Sequence, residues 1–105
     1  MMKTRLVVMN GQRVLQAEEA GQWVNERIQR AGIGVDAGIY DLYLSVELPV
    51  GQVGSGIIIH TDKNHIYQYD GKKIIKYDKN NFSQKLTVGD TPSISRLEAG
   101  SYEVN

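Results

Sequence analysis

Gly56-Ile57-Ile58-Ile59-His60-Thr61-Asp62-Lys63-Asn64-His65-Ile66-Tyr67-Gln68-Tyr69-Asp70-Gly71-Lys72-Lys73-Ile74-Ile75-Lys76-Tyr77-Asp78 is the stretch that decides the fold. Isoleucine- and tyrosine-rich runs alternate with two polar clusters, Thr61 to Asn64 and Asp70 to Lys73. Such runs suit a pleated, half-buried surface, so the stretch reads as three strands joined by two tight turns. It also holds both histidines of the chain and four of its twelve Lys and Arg residues.

The same texture extends in both directions. Eleven glycines and two prolines punctuate short apolar runs, as in an all-β domain. Leu6 to Met9 is a strand ending at Asn10-Gly11, a pair that favours a hairpin turn with positive φ at both central positions. Arg13 to Ala17 returns from it, with Val14 and Gln16 on one face and Arg13 and Leu15 on the other. Gln22 to Ala31 carries a partial helical stripe (Trp23, Val24, Ile28), but it lacks an N-cap and lies among strands, so a strand is preferred. In Ile39 to Val46, Tyr40, Leu42, Leu44 and Val46 alternate with more polar residues, which predicts one strand with those four facing the core. Glu47 to Gly56 reads as a mobile loop. Asn80 to Leu86 is irregular, with Phe82 as a plug onto the core. Val88-Gly89-Asp90 is a turn, Ser93 to Leu97 a strand, and Ala99-Gly100-Ser101 a turn before Tyr102 to Val104.

The expectation is a single all-β domain over residues 1–105, a small strongly bent barrel or two-layer sandwich of about eight short strands. Segments 4–30 and 56–78 share the order strand, polar turn, strand, glycine turn, strand, and read as two related β-meanders. The predicted core is Leu6, Val8, Val14, Trp23, Tyr40, Leu42, Leu44, Ile57, Ile59, Ile66, Ile75 and Ile94.

Composition narrows the function classes. Twelve Lys and Arg balance twelve Asp and Glu, so no net charge draws the whole molecule to nucleic acid or a membrane. Cysteine is absent, which excludes disulfides and thiolate metal sites and fits a reducing cytoplasm. No apolar run approaches a transmembrane span or the apolar region of a signal peptide.

No constellation of catalytic residues emerges. His60 and His65 bracket Thr61 to Asn64 and would face each other across a four-residue turn. A metal would need a third or fourth ligand, and Asp62, the one nearby candidate, suits its own turn hydrogen bonds. Solvated hairpin histidines are therefore expected, with no metal and no cofactor. Ser55 lies in Gly-Ser-Gly without a nucleophile turn, and Gly51 to Gly56 lacks the Gly-Lys-Ser/Thr of a phosphate loop. The one electrostatic asymmetry is local. Six lysines against two aspartates give residues 63–85 a net charge of +4, with Tyr67, Tyr69, Tyr77 and Phe82 interleaved. Tyr67, Tyr69, Lys72, Lys73, Lys76 and Tyr77 are the candidate partner-binding face. Read as a protein-interaction surface, it exploits the large amphipathic tyrosines. The rival reading is a nucleic-acid-binding barrel that stacks bases on Tyr67 and Tyr77 beside Lys72, Lys73 and Lys76.

Residues 56–104 resemble the KfrB family, small proteins and domains encoded on conjugative plasmids. The likeness is carried by Gly-Ile-Ile-Ile-His-Thr-Asp (56–62), Ile-Tyr-Gln (66–68), Gly71, Ile-Ile-Lys-Tyr-Asp (74–78), Phe82, Val-Gly-Asp (88–90), Ser-Ile-Ser (93–95) and Gly100. Met9 to Arg13, Trp23 and Gly38-Ile39-Tyr40 extend it towards stand-alone members. Tyr77 departs from the pattern, where a His is expected. The resemblance implies a role in plasmid stable inheritance or conjugation, in the bacterial cytoplasm, beside plasmid-encoded protein partners. It brings no enzymatic activity and no site residues.

Overall fold

Asn10 and Gly11, at φ 51° and 74°, close a two-residue hairpin as their sequence predicts, and Ala20-Gly21 repeats it at 51° and 81°. The computed structural model describes residues 3–98 and 100–105; Ala99 of the expected last turn lies outside them. The strands are β1 Thr4–Met9, β2 Gln12–Glu19, β3 Gln22–Arg30, β4 Gly38–Tyr40, β5 Val53–Gly54, β6 Ile57–Thr61, β7 His65–Tyr69, β8 Ile74–Asp78, β9 Ile94–Arg96 and β10 Tyr102–Val104. All strand pairs are antiparallel.

The strands form three small sheets, β3-β2-β1-β4, β6-β7-β8 and β10-β9-β5. The all-β expectation holds, in a sandwich-like arrangement, and the sheets do not close into a barrel. The β6-β7-β8 meander is the middle layer. Ile59, Tyr67 and Ile74 on one side pack with Leu6, Val8, Tyr40 and Leu42. Ile58, Ile66, Ile75 and Tyr77 on the other pack with Leu48, Leu86 and Ile94. Burial on both sides explains why nine of the fifteen residues of these three strands are Ile or Tyr.

Several expected positions move. Ile39 to Val46 is not one strand. The chain leaves β4 at Tyr40 and makes a 3-10 turn over Leu42–Leu44, closed by bonds from Leu44 N to Asp41 O (3.0 Å) and Ser45 N to Leu42 O (3.1 Å). The turn carries the chain from the first sheet to the middle one, where Val46 bridges Ile75 in parallel. Tyr40 and Leu42 are therefore buried, while Leu44 and Val46 are exposed. In β2 it is Arg13, with Ala17, that is buried; Val14 is only half-buried. Trp23 is half-buried because β3 is an edge strand whose residues meet solvent on both faces, and Ile57, at the start of β6, is half-buried against the first core. Gln22–Arg30 is indeed a strand, nine residues long. The Glu47–Gly56 loop is tied to β9, with Leu48 buried and Arg96 Nη1 donating to Leu48 O at 2.7 Å. Phe82 plugs the second core, its ring stacked on Tyr102 at 4.6 Å.

Candidate functional site

The turn between β7 and β8 is built around Asp70. Its Oδ1 accepts the backbone N–H of Lys72 (2.9 Å) and of Lys73 (2.8 Å), and its Oδ2 accepts Lys73 Nζ at 3.0 Å. The N–H of Lys73 contributes most to holding this carboxyl at about 2, well below the usual carboxylate range. Gly71, at φ 97°, supplies the left-handed residue this turn needs. Tyr69 Oη donates to Gly71 O (3.1 Å). Lys72 and Lys73 thus stand exposed on a well-braced turn.

Facing this turn is the segment that leads into and out of β4. Tyr40 Oη donates to Asp36 O at 2.7 Å and so folds residues 36–40 together. Tyr40 and Tyr69 meet edge-to-face at 5.2 Å, which ties the two segments across the gap. Between them lies a cleft of about 520 Å³. Ile39, Tyr40, Leu44 and Ile74 give it apolar lining; Lys72, Lys73, Asp36 and Asp41 give it charge. Among the described residues β4 pairs only with β1 and leaves its other edge open. An open edge beside an apolar cleft with charged groups can accept an extended peptide as an added strand.

The structure divides the six predicted site residues. Tyr69, Lys72 and Lys73 line this cleft. Tyr67 and Tyr77 do not belong to any exposed face and are corrected: they are 8% and 0% exposed. Tyr77 Oη donates to Gln68 Oε1 (2.5 Å), while Gln68 Nε2 donates to Gly56 O (3.0 Å) and Pro92 O (2.9 Å). This buried network leaves no room for a side chain at Gly54, whose added Cβ would collide with the Tyr77 hydroxyl. Lys76 is half-buried and lines a separate, smaller cleft with Glu47, His65 and Arg96. The sequence reading missed Asp36, Ile39 and Asp41 as cleft residues. Their signal in the sequence is the short Asp36-Ala37-Gly38 segment that leads into β4.

The histidines also part company. A bulge in β6 between Ile58 and His60 pairs His60 with Tyr67, not with His65. His60 is therefore not solvated: it is 2% exposed, with Nδ1 at 3.5 Å from Arg13 Nη1. Arginine can only donate, so Nδ1 accepts and the ring proton sits on Nε2. Burial, with Arg13 adding to it, pushes the His60 imidazole down to about 4. His65 stays partly exposed, 3.8 Å from Asp62, whose Oδ1 caps the turn through the N–H groups of Asn64 and His65. Among the described residues no three His, Cys, Asp or Glu side chains cluster as a metal site would require.

The comparison with known families fits the middle of this architecture. The KfrB domain family matches residues 54–99, from β5 through β9. Over residues 54–99 the chain is similar to the KfrB domain. KfrB is a plasmid-related family. No curated protein matches the chain. The matched region supplies the middle sheet and the Lys72-Lys73 wall of the cleft; the opposite wall, residues 36–44, lies outside the match. The cleft sits at the seam between the two. Among the described residues no helix is long and apolar enough to cross a membrane.

Proposed function

We propose that this protein is a non-catalytic binding module of a plasmid-maintenance or conjugation system, working in the bacterial cytoplasm. Its cleft takes an extended, acidic segment of a plasmid-encoded protein partner. The observation that carries this reading is the open edge of β4 placed beside Lys72 and Lys73. Backbone bonds to β4 would give affinity, while Ile39, Leu44 and Ile74 would take apolar side chains and the lysines carboxylates. The burial of Tyr67 and Tyr77 weighs against the nucleic-acid reading, since neither ring can stack a base.

The test is capture of partners by the full-length chain from plasmid-bearing cells, identified by mass spectrometry. The double variant Lys72→Glu, Lys73→Glu should retain at least about tenfold less of the plasmid-encoded partner. Equal capture by the double variant would remove the cleft from the interaction. A mobility shift of DNA or RNA at low salt, lost in the same variant, would favour the nucleic-acid reading instead.

A further inference from the structure

The four-stranded sheet has one face against the core and one face uncovered. Strand alternation turns Leu6, Val8, Ala17 and Tyr40 inward. The outward set forms rows fixed by the strand register. Val7 pairs with Val14 and Ile39, and Val14 with Ile28, so one aliphatic row crosses all four strands. Ile39 is 60% exposed and Ile28 57%. The next row is polar and braced: Arg5 Nε donates to Gln16 Oε1 (2.7 Å), and Gln16 Nε2 to Asn25 Oδ1 (2.8 Å). Beyond it, Glu18 pairs with Trp23, and Lys3 accepts the Glu18 N–H through its carbonyl at 3.0 Å. Arg5 lies over Trp23 (4.2 Å) and Lys3 over Tyr43 (5.3 Å), which fixes both cations on this face.

We propose that this face is the interface of a homodimer, packed on the same face of a second copy. The occupant is argued from self-complementarity. A two-fold axis parallel to the strands, running between β1 and β2, exchanges each cross-strand pair. It sets Val7 over Val14 of the second copy and Ile39 over its Ile28. It sets Arg5 over the second copy's Gln16, and Lys3 over its Glu18. Aliphatic meets aliphatic, opposite charges meet, and no cation is set over a cation. Such an isologous contact is the commonest way for a chain to self-associate, and aligned sheets pack face to face at about 10 Å. The strands are six, eight, nine and three residues long; at about 3.3 Å per residue and about 4.8 Å between strands they present a face of roughly 400 Å². Two such faces bury roughly 800 Å², the size of a weak, transient contact, so the dimer is reversible and forms only at high concentration. The face and the cleft share Ile39, so the dimer would bury one apolar residue of the cleft wall at β4 and leave Lys72 and Lys73 on the opposite wall uncovered.

The experiment is sedimentation velocity on the full-length chain over a dilution series reaching about 1 mM. The wild type is expected to pass from the mass of one chain to twice that mass. Ile28→Lys, at an exposed position, and the gentler Val14→Thr should stay monomeric, with unchanged circular dichroism and melting. Lys3→Glu should weaken the dimer at least about threefold, and the reversal Lys3→Glu with Glu18→Lys should restore it. A single-chain mass at every concentration overturns the proposal, as does a dimer indifferent to Ile28→Lys and Val14→Thr. Failure of the charge reversal to restore association overturns the axis.

Discussion

Ala20 holds φ 51° at the first central position of the β2–β3 turn, where a Cβ crowds the backbone. Ala20→Gly should raise stability by about 0.5–1 kcal/mol, read as a shift in urea midpoint at constant slope. His60 makes a second residue-scale prediction. Its imidazole titrates at about 4 in the folded protein against 6.5 ordinarily. Between those values the unfolded chain binds a proton that the folded chain does not. Stability is therefore full above about pH 6.5 and falls as the pH drops towards 4, by about 3 kcal/mol in all. His60→Asn, which keeps an acceptor for Arg13, should flatten the pH dependence of the unfolding free energy across that window. A slope identical to wild type would show that His60 does not titrate as its burial dictates. Asp70 acts lower on the scale: depressed to about 2, it withdraws stability only as the pH falls below its ordinary 3.8.

At the scale of elements, Ile39 to Val46 is the instructive case. Its alternation suits a strand, yet only Ile39 and Tyr40, with Gly38 before them, pair with β1. The chain must then cross to the edge of β8, where Val46 N donates to Ile74 O and Val46 O accepts from Lys76 N, each at 2.9 Å. Three-residue periodicity over the 3-10 turn buries Leu42 and exposes Leu44. Leu42→Ala should therefore cost about 2–4 kcal/mol, and Leu44→Ala less than about 0.5 kcal/mol, by chemical denaturation. Equal losses would restore the single-strand reading. The β6 bulge teaches the same lesson. One extra residue at Ile59 puts both Ile59 and His60 on the side facing the first sheet, which alternation alone does not foresee.

At the scale of the molecule, the KfrB-like region and the N-terminal sheet share a core. Ile59, Tyr67 and Ile74 from the matched region are covered by Leu6, Val8, Tyr40 and Leu42 from outside it. A fragment of residues 54–105 would expose that surface. It should lose the cooperative melting of the full chain or bind a hydrophobic dye in its native buffer. A fragment that melts cooperatively without dye binding would show the domain to be self-sufficient.

The sequence by itself determined the all-β class, the positive-φ hairpin at Asn10-Gly11, the middle meander and most of the first core, but only Ile66, Ile75 and Ile94 of the second. It could do so because turn chemistry and period-two burial are local properties. It also marked Tyr69, Lys72 and Lys73, which do line the cleft. Only the tertiary structure decided which tyrosines are surface and which are core. Tyr77 and Tyr69 look alike in sequence, but the middle sheet is covered on both faces, and Tyr77 falls under Phe82 and Tyr102. The tertiary structure alone likewise brought residues 36–41 beside residues 69–74, a pairing between segments far apart in the chain that no local pattern encodes.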